Sequence, residues 1–486
     1  SARNGMFLQA ASLRMQSGGG GGRSSAAVSK VKGGVGDEKH KNEKLDLNPV
    51  KGTRDFYPEE MRRQQWLFES WRSVATRFGF EEYDSPVVEN EDLYIRKAGE
   101  EVTQQLYNFE DKGGRRLSLR PEMTPSLARM VMARKGALPF PLKWFSFPQC
   151  WRYERMTRGR RREHYQWNMD IWGIDGVEAE AELLAAITTS FSDLGITAAD
   201  VGIKVNSRKL LTGLMRSYGV PDDKFAEACV LVDKLEKVPL ETVEADLTAL
   251  GLNVESMREM LELLQRSNID EFVRELGEDC DGIRDLKQLL SLGEAYGISD
   301  WLDFDASVVR GLSYYTGIVF EGFDRSGELR AICGGGRYDK LLESFGGDPV
   351  PAVGFGFGDA VIMELLIAKK LLPDFSQGKV ETVVYAMSED LRGDAVKVAS
   401  DLRAAGINVD VILDKRKPKW AFARAEKMGA STVVMCATDE AADGKVILKD
   451  LGKREQIVVA KESIVDHVAS LLSDFAFLEE EKEEKD

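Results

Sequence analysis

The residues best suited to chemistry form a dense arginine cluster between two aromatic segments. Residues 152–162 contain six arginines and a single acid, Glu154. Guanidinium groups bind phosphates in a bidentate geometry and stay charged at any physiological pH. Trp151, Tyr153 and Tyr165 lie among these arginines, and flat rings beside guanidinium groups can stack on a nucleobase. This combination favours a site for a phosphorylated, base-containing ligand over a solvated loop that only pairs with acidic surface.

Polar side chains in two other segments could hold a small ligand. Glu122 and Thr124 stand at the predicted start of a helix, where a carboxylate can bind a ligand ammonium or only complement the helix dipole. Arg310 and a Tyr-Tyr pair at 314–315 stand at the predicted start of an apolar strand over 308–323. Both segments are therefore candidates for the polar ends of a substrate.

Two glycine-rich stretches have different interpretations. Residues 334–339 hold three glycines followed by an arginine, a tyrosine and an aspartate, and we predict a turn there that a ligand can approach closely. Residues 354–358 have the spacing G-x-G-x-G, which differs from the G-x-G-x-x-G of dinucleotide-binding folds. Close packing of a strand and a helix around a nucleotide is the better interpretation of this second stretch.

The composition excludes several classes of protein. The 486 residues include only three histidines, and the five cysteines never occur as C-x-x-C. This argues against a multi-histidine metal centre, a zinc ribbon and a secreted disulfide framework, so we predict no protein-ligated metal.

There is no run of 18 apolar residues, so we predict no membrane helix. The net charge of −15 would argue against a nucleic-acid partner, but residues 221–300 alone carry 20 acidic and 8 basic residues.

The elements that must position these residues are predicted helices and short strands. One helix begins at Pro58 and ends at Gly79, and a second covers residues 121–136. Aromatic-rich segments at 143–153 and 165–172 flank the arginine cluster, which predicts an antiparallel hairpin with a long loop. The predicted fold class is therefore α+β, with helices around an antiparallel catalytic sheet.

The chain is predicted to contain several domains. The helical periodicity of residues 207–300 predicts a separate acidic helical domain, inserted into a catalytic core of residues 47–206 and 301–372. Strands and helices alternate over residues 379–477, which predicts a small α/β domain with a largely parallel sheet. Residues 478–486 are predicted to be an acidic disordered tail.

The N-terminal residues 1–46 are predicted to lie outside the folded core. Residues 1–36 contain no acid, five basic residues and a run of five glycines. This composition favours a remnant of a transit peptide for a chloroplast or a mitochondrion, or a disordered segment. A flexible linker is the alternative, and it would leave a cytoplasmic location open.

Taken together, these segments resemble a class II aminoacyl-tRNA synthetase, most closely the histidyl-tRNA synthetase family. The resemblance covers about residues 47–475, and residues 51–58 match the family's opening signature. The first general motif is matched by the predicted helix through Phe78 with residues 80–89, and the other two by residues 151–170 and 351–364. Three histidine-specific signatures are matched by residues 119–124, 309–316 and 334–339.

The resemblance implies ATP-dependent joining of L-histidine to tRNA(His) through a histidyl-adenylate. Arg310 and Arg152 would be catalytic, with Arg152 on the α-phosphate and Arg310 between that phosphate and the substrate carboxylate. ATP, bound with Mg²⁺, would also contact Glu154 through its adenine, Arg160 through its terminal phosphates, and His164. The implied histidine-binding residues are Glu122, Met123, Thr124, Gln166, Asp170, Tyr314, Tyr315 and Tyr338.

The resemblance also implies a homodimer, through the first motif, and an anticodon-binding C-terminal domain. The four basic residues within 415–419 would otherwise fit a solvated loop as well as an RNA contact. The implied tRNA contacts are Lys51, Arg155, Arg162, Lys415, Arg416, Lys417 and Lys419.

The sequence departs from the family pattern at four positions. Val361 stands where the third motif usually has an arginine that covers the adenine, and His164 stands where a phenylalanine is common. Ser313 replaces a common aspartate, and Asp170 a common glutamate. Three alternatives stay open: a non-catalytic, histidine-binding regulatory paralogue, a class II synthetase for threonine, proline or glycine, and a nicotinamide-dependent oxidoreductase.

Overall fold

The computed structural model describes residues 45–95, 103–232, 240–249, 253–310, 314–376 and 378–483. Most of the predicted N-terminal targeting segment, Ser313 and the end of the predicted acidic tail lie outside the described residues. The chain divides into two units, residues 1–48 and 49–486. In the first unit, the Asn48 side-chain amide donates a 2.7 Å hydrogen bond to the Asp46 carboxylate.

The strands of the described residues are, in chain order, β1 (Glu81–Glu82), β2 (Val88–Asn90), β3 (Tyr107–Glu110), β4 (Arg116–Leu119), β5 (Leu142–Ser146), β6 (Gln149–Trp151), β7 (Glu163–Trp172), β8 (Val201–Ser207), β9 (Leu302–Phe304), β10 (Ile318–Asp324), β11 (Cys333–Arg337), β12 (Ala352–Gly358), β13 (Thr382–Ala386), β14 (Val409–Val411), β15 (Thr432–Cys436), β16 (Lys445–Asp450) and β17 (Gln456–Ala460).

The α-helices of the described residues are α1 (Pro58–Arg77), α2 (Asp92–Ile95), α3 (Thr124–Arg134), α4 (Glu178–Asp193), α5 (Arg208–Ser217), α6 (Phe225–Val232), α7 (Leu240–Ala249), α8 (Val254–Leu264), α9 (Ile269–Leu276), α10 (Asp281–Tyr296), α11 (Leu341–Ser344), α12 (Asp359–Lys369), α13 (Arg392–Ala404), α14 (Pro418–Met428), α15 (Thr438–Ala442) and α16 (Ile464–Glu483).

The largest sheet has nine strands, in the order β1-β5-β7-β12-β11-β10-β8-β9, with β6 paired to β7 beside this path. All neighbouring pairs are antiparallel except the two end pairs, β1 with β5 and β8 with β9. The predicted antiparallel hairpin is confirmed, since β5 and β6 both pair with β7 and the arginine cluster lies in the connection. The predicted α+β core with an antiparallel sheet is therefore confirmed.

One face of β7 packs into the main hydrophobic core. Trp167 is fully buried, and its ring stacks on Trp71 of α1 with the ring centroids 5.7 Å apart. Phe357 of the neighbouring strand β12 packs on Trp71 at 5.2 Å. Since side chains alternate along a strand, the residues at even positions of β7, including Asp170, face the opposite side. The core thus leaves one polar face of the sheet for a ligand.

Two element predictions around this face are wrong. The predicted turn over residues 334–339 is instead largely strand β11, which pairs with β10 and β12 in the middle of the sheet. A Cβ at Gly335 would overlap the carbonyl oxygen of Gly354, so the glycines permit close strand packing rather than a turn. The predicted strand over 308–323 begins only at Ile318, so Arg310 lies in the loop before β10.

The helical insertion lies between β8 and β9 and consists of α5 to α10. Its buried leucines, such as Leu210 and Leu286, belong to the same hydrophobic cluster as the catalytic sheet. A Cβ at Gly282 of α10 would overlap the backbone of Leu210 in α5, so these two helices pack closely. The insertion therefore shares its core with the sheet rather than forming a separate core.

The C-terminal domain has a five-stranded sheet in the order β14-β13-β15-β16-β17. The first three strands are parallel to one another, but β16 is antiparallel to both β15 and β17. The prediction of a largely parallel sheet is thus wrong for its last two strands. A parallel pair needs a crossover of about a dozen residues or more, and the chain between β15 and β16 is too short for one.

A buried ion pair ties α4 to the end of β11. Arg337 donates two hydrogen bonds to the Glu180 carboxylate, both 2.6 Å, and two more to the carbonyls of Ile174 and Gly176. Glu180 is fully buried and Arg337 is 3% exposed. Removal of one partner of a buried pair leaves an uncompensated charge, which costs about 3–5 kcal/mol.

We therefore expect Glu180→Ala to lower the free energy of unfolding by about 3–5 kcal/mol. The measurement is urea denaturation followed by the fluorescence of the buried tryptophans. Arg266→Ala is the matched control, because Arg266 and Glu271 form an exposed pair at 2.6 Å and such pairs contribute about 0–1 kcal/mol. Equal losses in the two variants would contradict this role of the Glu180 pair.

Candidate active site

The polar face of the sheet is built from β7 and β12 in register. Gln166, Asn168 and Asp170 lie opposite the three glycines of β12, at positions 358, 356 and 354. A Cβ at Gly354 would overlap the Asp170 carboxylate. The G-x-G-x-G spacing therefore makes room for polar side chains of the adjacent strand β7, whereas the sequence predicts close packing of a strand and a helix around a nucleotide.

Asp170 is the most deeply buried acid on this face. It is 1% exposed, one oxygen accepts a hydrogen bond from the Tyr338 hydroxyl, and the other has no partner among the described residues. Burial raises the pKa of Asp170 to about 7, although the hydrogen bond from Tyr338 lowers it. A buried carboxyl oxygen without a partner is costly in an empty site, so a ligand that donates a hydrogen bond fits here.

A second buried acid, Glu122, lies just before α3. Its carboxylate accepts a 3.0 Å hydrogen bond from the hydroxyl of Tyr314. Burial raises the pKa of Glu122, and the nearby Arg152 opposes this shift. The ring of Tyr314 lies 5.8 Å from that of Tyr338. Tyr314 binds Glu122 and Tyr338 binds Asp170, so the contact between the two rings connects the two buried acids.

The other predicted histidine-binding residues occupy different positions around this face. Thr124 is the first residue of α3 and Gln166 is partly buried on β7. The ring of Tyr315 is 5.1 Å from that of Tyr314. Met123 is fully buried, with its sulfur 3.5 Å from the Ser85 hydroxyl and 3.7 Å from Arg120, so it packs below the polar face.

Arg310 is held in an unusual backbone conformation. Its φ is +61°, which is uncommon for a residue other than glycine. Its guanidinium forms an ion pair with Glu321 of β10, and its Nε is buried without a partner among the described residues. Although burial opposes it, Glu321 raises the pKa of Arg310. Glu321 is a residue that the sequence analysis missed, since only the strand register brings it to Arg310.

The predicted nucleotide-binding residues lie together around the connection between β6 and β7. Arg152 donates a 3.0 Å hydrogen bond to the carbonyl of Pro121, next to Glu122. Arg160 forms a 2.7 Å ion pair with Glu154. Burial lowers the pKa of His164 to about 3, and the charges of Arg152 and other arginines lower it further. His164 is therefore neutral at physiological pH, which suits a ring that stacks on a base.

The structure places the predicted tRNA contacts in two regions. Near the arginine cluster, Arg162 lies over the ring of Tyr153 at 3.9 Å and donates its backbone N–H to the carbonyl of Gly52, which follows Lys51. Lys51 and Arg155 are exposed.

In the C-terminal domain, the four basic residues of the predicted RNA loop are exposed. The guanidinium of Arg416 lies 4.7 Å from the ring of Trp420, which Arg424 approaches from 5.5 Å.

Two buried arginine networks were also missed at the sequence level. Arg54 bridges Glu163 of β7, at 2.7 Å, and Asp359 at the start of α12, at 2.9 Å. Asp359 in turn accepts a 3.0 Å hydrogen bond from the backbone N–H of Tyr165. The second network is that of Arg337 and Glu180. The only sequence signal was a charged residue within a matched motif, which does not reveal its partner.

The described residues contain no group of three or more His, Cys, Asp or Glu side chains that could hold a metal ion. None of the described helices is long and apolar enough to cross a membrane.

The antiparallel sheet with its polar face and arginine-rich hairpin, followed by a small α/β domain, defines a class II aminoacyl-tRNA synthetase. A family model described as histidyl-tRNA synthetase matches residues 52–359, and one described as an anticodon binding domain matches residues 381–471. The chain belongs to the histidyl-tRNA synthetase family. This excludes the threonine, proline and glycine synthetases and the oxidoreductase considered above.

Similar proteins cover most of the chain. A chloroplastic/mitochondrial histidine–tRNA ligase of Arabidopsis thaliana is 54% identical over 418 residues, which are 86% of this chain and 86% of that protein. A histidine–tRNA ligase of Opitutus terrae is 39% identical, over 87% of this chain and 98% of that protein. The crystal structure of histidyl-tRNA synthetase from Nostoc sp. PCC 7120 covers 88% of this chain and all of that one, with a TM-score of 0.71 and 26% identity.

The raised pKa of Asp170 predicts a specific pH dependence of stability. Because the pKa is about 7 in the folded state and 3.8 without burial, this group favours folding most at low pH. The contribution is lost as the pH rises through the folded pKa. We expect wild type to lose roughly 2–3 kcal/mol relative to Asp170→Asn between about pH 5 and pH 8.

The measurement is the free energy of unfolding of both proteins across this pH range. Asp175→Asn, which changes an exposed aspartate five residues further along the chain, is the control and should follow wild type. A constant difference between wild type and Asp170→Asn at all pH values would show that burial does not perturb this carboxyl group.

Proposed function

We propose that this chain is a histidine–tRNA ligase that charges tRNA(His) with L-histidine in two steps, of which the first consumes ATP. The observation that carries the proposal is the pair of buried acids, Glu122 and Asp170, each bound by a tyrosine hydroxyl on one polar face. Membership of the histidyl-tRNA synthetase family and the similarity to histidine–tRNA ligases support it.

The amino-acid pocket would hold histidine at both of its ends. Glu122, with Thr124 and Gln166, would accept hydrogen bonds from the α-ammonium group. Asp170 and Tyr315 would face the imidazole, with Tyr314 and Tyr338 holding the two acids in place and Met123 packing beneath them. An imidazole titrates near neutral pH, and a carboxyl group with a pKa of about 7 can accept or share its proton.

The first step joins histidine to AMP. A carboxylate oxygen of histidine attacks the α-phosphorus of ATP, the new O–P bond forms, the α–β phosphoanhydride bond breaks and pyrophosphate leaves. Arg152 and Arg310 would neutralise the charge around the α-phosphate, while Glu154 and His164 would hold the adenine and Arg160 the terminal phosphates. Positioning and charge neutralisation can supply such a reaction. Mg²⁺ is expected with the triphosphate, as part of the substrate.

The second step transfers histidine to tRNA. A ribose hydroxyl at the tRNA 3′ end attacks the carbonyl carbon of the adenylate and the ester C–O bond forms. The bond between that carbon and the phosphate oxygen breaks, and AMP leaves as the hydroxyl proton is released. Lys51, Arg155 and Arg162 would contact the acceptor end, because they surround the connection between β6 and β7.

The four basic residues within 415–419, three in the loop before α14 and Lys419 in its first turn, would contact the anticodon arm. There the exposed Trp420 between Arg416 and Arg424 offers a stacking surface.

We assign the proposed functions to the predicted domains. Residues 47–206 and 301–372 would form the catalytic core, residues 207–300 the helical insertion, and residues 379–477 the anticodon-binding domain. We also propose a homodimer and a location in a chloroplast or mitochondrion. The composition of the N-terminal segment and the name of the Arabidopsis relative support that location. A regulatory paralogue is disfavoured, because such proteins lack an anticodon-binding domain.

The test of the proposal is ATP–pyrophosphate exchange with each of the twenty amino acids in turn. We expect exchange with histidine alone, and Arg310→Ala should reduce it by at least a hundredfold while tRNA affinity and thermal stability stay near those of wild type. Arg310→Lys keeps a charge but loses the planar guanidinium, and we expect it to recover only part of the rate.

Normal turnover of Arg310→Ala would remove the proposed role of this residue. Binding of histidine by wild type without any exchange would instead favour the regulatory paralogue.

The basic loop predicts a separate effect on tRNA. Neutralising Lys415, Arg416, Lys417 and Lys419 should weaken tRNA binding and flatten its dependence on salt, because each lost phosphate contact lowers the slope by about 0.7–0.9. Histidine-dependent exchange should be unchanged. Lys397→Gln combined with Lys445→Gln is the control, since both lysines pair with aspartates of the same domain. An unchanged salt slope in the loop variant would make the loop a solvated surface.

A further inference from the structure

The connection between β10 and β11 presents Arg330 from a fixed backbone. The buried Asp324 carboxylate accepts hydrogen bonds from the backbone N–H groups of Ser326, Glu328 and Leu329, the last being adjacent to Arg330. On the other side, the N–H of Ile332 donates a 2.8 Å hydrogen bond to the carbonyl of Gly322. Arg330 is therefore held between two anchored residues, although its own side chain is exposed.

The side chain of Arg330 lies against the nucleotide-binding side of the candidate site. Gly159 stands in the turn of the arginine cluster, immediately before Arg160, with a φ of +69°. A Cβ at Gly159 would lie 3.2 Å from Cγ2 of Val361 and 3.9 Å from both Cγ and Cδ of Arg330. The turn thus lies against two side chains from different elements, the aliphatic Val361 from α12 and the stem of Arg330.

Arg330 lies among other charged side chains of the candidate site. Partial burial lowers the pKa of Arg330, the charges of Arg160 and Arg152 lower it further, and Glu154 and Glu321 oppose this shift. Glu154 is itself engaged by Arg160 at 2.7 Å. Among the residues that the structure describes, no carboxylate lies within ion-pair distance of Arg330. Of the two carboxylates that act on Arg330, Glu321 is paired with Arg310 in the same way, so a bound polyanion would neutralise the positive charge that remains.

Arg330 is also close to the residue proposed to stack on the adenine. The positive charge of Arg330 is one of the charges that lower the pKa of His164. Its neighbour Val361 carries no charge, so α12 supplies no cation at this position. Among the described residues the guanidinium of Arg330 has no ion-pair partner, and it lies beside a site whose proposed ligand carries a triphosphate.

We propose that Arg330 is a further ATP-binding residue, which contacts the β- or γ-phosphate together with Arg160. The proposal rests on the proposed function, since it assigns a role within the same nucleotide site. Val361 of α12 carries no charge, and Arg330 of the β10–β11 connection would supply the cation instead. Arg330 would touch the substrate itself and is not part of the core, so its removal should leave the fold intact.

The test compares nucleotide binding by Arg330→Ala and by wild type. We expect the affinity for a non-hydrolysable ATP analogue to fall at least tenfold in a calorimetric titration with Mg²⁺, while the affinity for AMP changes less than twofold. In pyrophosphate exchange, the KM for ATP should rise in parallel while the KM for histidine stays within twofold. Arg330→Lys should retain part of the affinity, because it keeps the charge without the planar fork.

Arg325→Ala is the matched control from the same connection. Arg325 pairs with Asp303 at 2.9 Å, so its charge is already neutralised, and we expect no change in affinity for either nucleotide. An equal loss of ATP-analogue and AMP affinity in Arg330→Ala would overturn the proposal in favour of stacking on the base. Unchanged ATP affinity would overturn it outright.

The nucleotide titration is independent of amino-acid specificity. A wild-type protein that binds ATP but exchanges pyrophosphate with no amino acid would refute the proposed ligase activity, and the assignment of Arg330 would still be decided by its own titration. The two proposals can therefore fail separately.

Discussion

The close approach of β7 and β12 is the constraint on which the candidate site depends. Three polar side chains at alternate positions of β7 each face a glycine, and a Cβ at Gly354 would overlap Asp170. On the other face, Trp167 and Phe357 pack into the core with Trp71. Because side chains alternate along a strand, the ten residues of β7 place core-packing side chains on one face and candidate ligand-binding side chains on the other. A shift of register by one residue would place Asp170 in the core and Trp167 in the ligand site.

The buried charged groups fall into two sets, which differ in whether other protein groups satisfy all of their hydrogen-bonding atoms. Arg337 and Glu180 satisfy each other, and Arg54 is shared by Glu163 and Asp359. These pairs tie α4, β7 and α12 to the sheet.

Around the polar face the matching is incomplete: one oxygen of Asp170 and the Nε of Arg310 have no partner among the described residues. Since burial of an unpaired polar atom costs free energy, unmatched groups persist where a ligand can satisfy them. The contrast distinguishes arginines that hold the structure from arginines that are available to a substrate.

The sequence predicts the antiparallel sheet and the helices of the insertion because these depend on local patterns, whereas the roles of the candidate site residues come from the resemblance to a known family. Aromatic alternation indicates β5 to β7, and leucine periodicity indicates the helices of the insertion. What the sequence does not reveal depends on pairing between distant segments. The glycines of β11 resemble a turn until β10 and β12 are placed on either side, and Glu321 has no visible relation to Arg310 without the register of β10. Arg330 is hidden for the same reason, since only the fold brings it to Gly159.

The acidic insertion explains how a chain with a net charge of −15 can still bind a polyanion. Several of its described basic residues are paired within the insertion itself: Lys224 with Glu227, Arg266 with Glu271, Arg284 with Asp281 and Lys287 with Glu278. The surplus acids therefore remain unneutralised, and the insertion repels phosphate.

The exposed bases at Lys51, Arg155 and the 415–419 loop lie in other parts of the chain. Exposed charges act over a screening length of only about 8–10 Å, so the acids of the insertion can oppose these bases only within that distance. An uneven distribution of charge restricts the orientations in which a charged partner can approach. The uneven charge thus favours an RNA that contacts the arginine cluster and the C-terminal loop rather than the helical insertion.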